Sequence, residues 1–284
     1  MNRNLERAAE WVEQADALII AAGAGMGVDS GLPDFRGNDG FWKAYPALAA
    51  AGLEFTAIAC PDAFRDNPAM AWGFYGHRLA LYRATPPHPG FALLKHWAGR
   101  MKDGYSVFTS NVDGQFQKAG YDDHAVNECH GSIHYLQCLD SCSDDTWPAD
   151  AFVPDVDERR CLLRNAPPRC PSCGRLARPN ILMFGDGDWS SSRQFVQESR
   201  QRAWLAKVVK PVVIELGAGT AIPSVRHFSR QMCVEQGARL VRINPRESGV
   251  NDDGGVGLPM GALQGLQGIA DILGDRWRLP VAAS

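Results

Sequence analysis

Four short apolar runs constrain this chain more than any other feature. They are ALIIAAG at 17–23, YSVFTS at 105–110, PVVIELG at 211–217 and ARLVRIN at 238–244. Each is too short for a helix and apolar enough to be covered on both faces, as strands of a parallel sheet are. Between them lie helical patterns: MNRNLERAAEWVEQA, RDNPAMAWGFYGHRLALYRAT, PGFALLKHWAGRM, SSSRQFVQESRQRAWLAKVV and the closing GALQGLQGIADIL. Asn67 suits an N-cap with Pro68 at the first helical position, and serines stand before the helix that follows residue 190. Strands alternating with helices imply an α/β fold, a parallel sheet with helices on both faces. A chain of 284 residues, 45% of them hydrophobic, makes one large domain or one domain plus a small insert. GVNDDGGVG at 249–257 reads as a flexible loop by composition.

The net charge of −3 gives no basic footprint for nucleic acid and no polybasic membrane patch. The first helical pattern is amphipathic rather than a basic stub with an apolar core, and no apolar run approaches the ~18 residues a membrane helix needs. The expectation is a soluble, cytoplasmic protein with neither nucleic acid nor membrane as partner.

Residues 139–170 break the rhythm. LDSCSDDTWPADAFVPDVDERRCLLRNAPPRC is rich in Asp, Pro and Arg and has poor periodicity. A structureless loop of that length inside a domain needs something to hold it. Cys138 and Cys142 are spaced C-x3-C, and Cys170 and Cys173 are spaced C-x2-C. Two such pairs fit a tetrahedral zinc site of four thiolates, closed and therefore structural. Cys161 lies between the pairs as a bystander or an alternative ligand.

Gly23, Gly25 and Gly27 follow the first strand. The spacing departs from the G-x-G-x-x-G dinucleotide fingerprint, because the third glycine arrives one residue early. The physical role survives: glycines admit close backbone approach, and a helix start binds phosphate. GLPDFRG then adds Asp34, Phe35 and Arg36, an aromatic face and a cation suited to phosphate or carboxylate. TSNVDGQFQKAG sets Ser110, Asn111 and Asp113 at the carboxyl end of a strand, where ligands bind in open α/β sheets. NECHGSIHYLQC carries His130, and ELGAGTAIPS supplies a second glycine turn with Gly217, Ala218 and Gly219.

Together these stretches resemble the sirtuin family of NAD-dependent protein deacylases. The matching pieces are GAGMGVDSGLPDFRG with FW after it, TSNVDGQFQKAG, CHGS, the two cysteine pairs, RPNILMFGD, ELGAG and INPRE, in the family's order. The resemblance implies a Rossmann-like domain at 1–132 and 180–284, a zinc-binding insert at 133–179, and 46–90 as a candidate helical module of the smaller domain. It implies that NAD is consumed as a co-substrate, that one structural zinc is bound, and that an acylated protein or peptide is the partner. Nicotinamide leaves and the acyl group passes to ADP-ribose. His130 then matches the general base, which an unperturbed histidine pKa of about 6.5 suits. Asn111 and Asp113 match the residues around nicotinamide and a water. Ala22, Gly23, Ala24, Gly25, Asp34, Phe35 and Arg36 match the cofactor loop, with Phe35 shielding the reacting ribose. Ser110, Gly217, Ala218, Gly219 and Asn244 match further NAD contacts, and Ala270 and Asp271 fall near the adenine by position.

Several positions depart from the family pattern. Ser110 stands for a glutamine, Gln115-Phe116 for Leu-His, Gly217-Ala218-Gly219 for GTS, FGDGDW around Asp186 and Trp189 for FGE, and Gly27 for serine. These resemble macrodomain-linked sirtuins that transfer ADP-ribose to proteins, which makes protein ADP-ribosylation the alternative activity. A non-catalytic NAD-binding module is the third. His134, His77, His88, His96, His124 and His227 read as structural or surface residues. Trp72, Phe74 and Tyr75 read as core, and Arg226, Arg246 and Arg193 as solvated, each with a smaller chance of meeting ligand.

Overall fold

The computed structural model describes residues 2–33, 37–250 and 254–280. The strands are β1 (Ala17–Ala22), β2 (Tyr105–Thr109), β3 (Val126–Glu128), β4 (Gly131–Cys138), β5 (Thr146–Pro148), β6 (Val156–Asp157), β7 (Leu162–Leu163), β8 (Ala177–Ile181), β9 (Pro211–Leu216), β10 (Arg239–Ile243) and β11 (Gly255–Leu258). Six of them form one sheet in the order β11-β10-β9-β1-β2-β3, and every pairing in it is parallel. Numbered along the chain, that order is 3-2-1-4-5-6, the doubly wound Rossmann arrangement, and it reverses between β1 and β9.

Alternation explains why β1 is apolar throughout. Leu18, Ile20 and Ala22 face a core shared with the helices Asn2–Gln14, Pro89–Ala98 and Ala262–Leu273. Ile19 and Ala21 face the opposite layer, where Ser192–Leu205 and Ser224–Gln236 contribute Leu205, Val225, Phe228 and Met232. Each fully buried Leu or Ile of this strand contributes roughly 1.5–3 kcal/mol over an exposed one.

The remaining elements build a second core. Phe41, Leu48, Phe64, Trp72, Phe74 and Leu79 pack with Ile133, Leu136, Ala149, Leu163 and Ile181, so the helices before residue 85 share an interior with the cysteine-bearing segment. That packing supports our proposal that 46–90 belongs with 133–179 in one smaller domain. Its sheet is β5-β4-β8, antiparallel, with a register shift between Ser132 and Leu136. The helix Pro68–Ala84 begins as its sequence requires, Asn67 Oδ1 accepting from Met70 N at 3.1 Å. Its Gly73 and Gly76 let the insert press close. A Cβ on Gly73 would overlap the Cys161 carbonyl, and one on Gly76 would lie 2.9 Å from Pro154 Cβ.

Two expectations need correction, and one strand was not anticipated. GVNDDGGVG is not all loop, because Gly255–Leu258 is the edge strand β11, paired with β10. Glycine-rich sequence hid it: a Cβ on Gly257 would overlap the Ser248 carbonyl, so packing demands the residue that strand propensity disfavours. β3 gave no apolar signal, since its Asn127 and Glu128 are polar yet buried. Both are held by the helix Ser192–Leu205, Gln201 Oε1 accepting from Asn127 Nδ2 and Gln197 Oε1 accepting from Glu128 N. The serines before that helix do not cap it; Ser191 makes no side-chain cap bond, and the Ser190 and Ser192 hydroxyls donate to the Asp144 carbonyl of the insert. Among the described residues, no helix is long and apolar enough to cross a membrane.

Candidate active site and metal centre

The carboxyl ends of β1 and β9 meet at the point where strand order reverses, the place where open α/β sheets bind ligands. Two glycine turns interlock there. Gly23 N donates to the Leu216 carbonyl at 2.9 Å and Gly25 N to the Gly217 carbonyl at 3.1 Å. A Cβ on Gly23 would lie 2.8 Å from Ala218 Cα; one on Gly217, whose φ is +59°, would overlap Gly25 Cα. These glycines serve each other before any ligand arrives. Gly219 differs: the nearest atom to its Cβ position is Glu247 Oε2 at 3.8 Å, so its side of the turn is open.

Neighbouring loops are tied to the same turns. The Ala22 carbonyl accepts from Ser110 N and Thr109 Oγ1, and the Ala24 carbonyl from Gly27 N. Asn111 Nδ2 donates to the Gly23 carbonyl at 3.0 Å. Fully buried Asn244 donates from Nδ2 to the Ala218 carbonyl and accepts at Oδ1 from Arg246 N and Glu247 N. Ala22, Gly23, Ala24, Gly25, Ser110, Asn111, Gly217, Ala218, Gly219 and Asn244 therefore gather in one crevice.

His130 enters this crevice from the end of β3. Its Nε2 lies 3.1 Å from Ser224 Oγ. Burial lowers its pKa and the Ser110 backbone carbonyl partly offsets that, so the ring is neutral at pH 7. Asp113 accepts from Gln115 N at Oδ1, and burial pushes its carboxyl up to about 6. A Cβ on Gly27 would stand 3.7 Å from Asp113 Oδ2 and 3.2 Å from Leu32 Cδ1. Asp113 also lines a cleft of about 440 Å³ with His134, Tyr135, Arg83 and Arg193. Neither His130 nor the glycine turns line that cleft.

Some nominated residues lie elsewhere. Asp34, Phe35 and Arg36 fall outside the described residues. Asp271 does not belong to the crevice. It sits in the last turn of Ala262–Leu273, paired with Arg278, about 13 Å of helix from the end that follows β11. Ala270 is buried in the core beneath that turn. At the near end, Asp29 Oδ2 accepts from Leu263 N at 2.7 Å.

Sequence reasoning missed Ser224 and left His88 and Arg226 with only structural or solvated readings. Ser224 carries no motif of its own. His88 is buried and accepts at Nδ1 from Gly90 N, so Nε2 holds the proton and donates to the Met26 carbonyl at 2.9 Å, fastening the first glycine turn to the helix Pro89–Ala98. Its place before Pro89, in an N-cap slot, was the available signal. Arg226 has a comparable duty, donating to the Ala218 and Glu247 carbonyls. Arg193 pairs with buried Glu128 and lies over the Tyr135 ring rather than in the crevice.

The family departures fall mostly on packing positions. Gln115 is buried and donates to the Thr85 carbonyl. Phe116 is buried against Phe91 and Tyr121. Asp186 forms a fully buried ion pair with Arg178 at 2.7 Å and accepts from Met183 N. Ser110, Gly27 and the Gly217–Gly219 turn border the crevice directly.

The cysteine pairs converge as their spacing requires. Sγ atoms of Cys138, Cys142, Cys170 and Cys173 lie within 4.8 Å of one another. Cys138 and Cys173 are 3.6 Å apart, Cys142 and Cys170 3.5 Å. Four thiolates at about 2.3 Å from a zinc ion would be about 3.8 Å apart, so the set fits that ion and is far too open for disulfides. Crowding by the other thiols pushes Cys142 up to about 12, while the Arg175 N–H and guanidinium pull Cys173 down to about 6. A dication lets all four ionise. Cys161 is not part of this cluster.

Comparison with known proteins agrees with this geometry. Residues 23–209 match the model of the family described as the Sir2 family. "NAD-dependent protein deacylase 1" of Caldanaerobacter subterraneus subsp. tengcongensis is 30% identical over 255 residues, 90% of this chain and 93% of the relative. "NAD-dependent protein deacylase 1" of Pseudomonas aeruginosa is 31% identical over 239 residues, 84% of this chain and 86% of the relative. A solved structure described as "Structural Basis for the Mechanism and Regulation of Sir2 Enzymes" superposes with a TM-score of 0.68 at 25% identity, covering 96% of this chain and 98% of that one.

Proposed function

The chain belongs to the Sir2 family, and on that footing we propose that it is an NAD-dependent protein deacylase that removes acyl groups from lysine side chains. Its partner is an acylated protein or peptide. One observation carries the reading: a half-buried, neutral histidine, His130, stands in the crevice with the loops after β1, β2 and β9 around it.

NAD supplies the nicotinamide glycosidic bond that breaks and the ribose that accepts the acyl group. The interlocked turns, Ala22–Gly25 and Gly217–Gly219, with Ser110 and Asn244 behind them, would hold it, and Gly219 leaves the room for close approach. Asn111, fixed through the Gly23 carbonyl, and Asp113, fixed through Gln115 N, would orient the nicotinamide end. His130 would take a proton from a ribose hydroxyl at Nε2. Burial aids this, because it keeps the imidazole unprotonated at pH 7, and a base of this kind contributes about 10²–10⁴-fold. Zinc on Cys138, Cys142, Cys170 and Cys173 would fasten the insert and stay outside the chemistry, since four thiolates leave no open position.

The alternatives draw less support. Of the residues that suggested ADP-ribosyl transfer, Gln115, Phe116 and Asp186 serve packing, and only Ser110 borders the crevice. A binding module without chemistry has no need of a neutral base in its crevice. The test is incubation with NAD and acyl-lysine peptides from acetyl to long-chain. Acyl loss with nicotinamide release, abolished in His130→Ala, is the expected result; label on a protein without acyl loss would favour ADP-ribosyl transfer.

A further inference from the structure

Taking His130 as the base, as proposed above, its working nitrogen is already occupied by the protein. Ser224 Oγ lies 3.1 Å from Nε2. Ser224 is the first residue of Ser224–Gln236, and Pro223 before it makes no side-chain cap bond. The ring's other surroundings are spare. Among the described residues no charged side chain contributes to its shift; only burial and the Ser110 carbonyl do. Cys129 beside it is neutral, its thiol pushed up to about 12 by burial.

A neutral imidazole needs one donor partner and one acceptor partner. Carbonyls can only accept, so Ser110 suits the protonated nitrogen. A hydroxyl rotates and can donate, so Ser224 suits the lone pair. We infer that Ser224 is a positioning residue for His130: its hydroxyl donates to Nε2 in the free enzyme, aims the lone pair into the crevice, and holds the place that a substrate hydroxyl takes during turnover. A rotation about one side-chain bond then clears the way. Because the bond favours the neutral ring, its loss makes His130 easier to protonate.

The test follows the His130 ring by NMR titration in the full chain, in wild type, Ser224→Ala and Ser224→Thr, beside the pH profile of kcat/KM for NAD at saturating acetyl-lysine peptide. Ser224→Ala should raise the His130 pKa by about half to one pH unit, the worth of one neutral hydrogen bond. The acid limb of the profile should move with it, and kcat should fall about 3- to 10-fold with peptide KM unchanged. Ser224→Thr, which keeps the hydroxyl, should titrate as wild type does. An unmoved titration in Ser224→Ala, or a threonine variant that behaves as alanine, overturns the assignment. So does a covalent ADP-ribose adduct on Ser224, since a placeholder is not consumed. The titration needs no turnover, so a wild type without deacylase activity would defeat the functional reading and leave this result readable.

Discussion

Alanine at Gly217 tests whether the two glycine turns hold each other. Gly217 has φ +59°, and the left-handed region costs an L-residue roughly 1–2 kcal/mol. The new Cβ would overlap Gly25 Cα and lie 2.6 Å from Met26 N, both rigid backbone. Forced displacement of this kind costs about 1–3 kcal/mol. The sum, about 2–5 kcal/mol, is a large part of a total stability on the order of 5–15 kcal/mol. At about 2–4 °C per kcal/mol for a chain of this size, Tm should fall by about 4–20 °C. NAD affinity should fall too, because the displaced turn carries Gly23, whose carbonyl holds Asn111. Gly219→Ala is the control. Its Cβ would meet nothing nearer than Glu247 Oε2 at 3.8 Å, so stability should stay within about 0.5 kcal/mol, while any loss of NAD affinity there reports on ligand approach. Thermal unfolding and calorimetric NAD titration of the two variants decide the matter. A Gly217→Ala protein that melts with wild type, or a Gly219→Ala protein that melts as early as Gly217→Ala, would refute the packing argument.

Other outcomes follow from the same structure. Metal analysis should find one zinc per chain, lost in Cys138→Ser, with that variant losing structure in residues 133–179 first when followed by limited proteolysis. Burial lowers the pKa of His77, His88, His130 and His134, so each binds a proton less readily folded than unfolded. Stability from these residues is therefore complete above about pH 6.5 and declines as pH falls below it, and the decline in urea midpoints should be shallower in His88→Asn. Asp113 works the other way: its folded pKa of about 6 exceeds the usual 3.8, so ionisation opposes folding above pH 6. Asp113→Asn should be more stable at pH 8 by up to about 3 kcal/mol, less so at pH 4, and impaired in catalysis. Phe116→His, which restores a family residue, should lower Tm without raising deacylation, because Phe116 is core.

The sheet was legible where burial on both faces selects an apolar run, as in Ala17–Ala22 and in Pro211–Leu216, whose one charged residue, Glu215, is paired with Arg242. β3 and β11 were not, because one hides polar side chains against glutamines of a distant helix and the other is glycine-rich for the sake of a neighbouring loop. The metal cluster was legible because short spacings survive any fold. In the crevice, glycines and the strand-end Asn111, Asp113 and His130 announced themselves. His88, Arg226 and Ser224 did not, since their roles depend on partners 62, 8 and 94 residues away that only the tertiary fold supplies. Asp271 lies at the far end of the closing helix, paired with Arg278, and position within a helix does not say which end meets the carboxyl edge of the sheet.

The most direct test counts products. Purified protein, NAD and an acetyl-lysine peptide should yield one nicotinamide for each acyl group lost, with the acyl group recovered on ADP-ribose. His130→Ala should yield neither product above background while retaining the wild-type Tm within a few degrees. Absence of acyl loss across acetyl to long-chain peptides, or undiminished acyl loss in His130→Ala, would contradict the account.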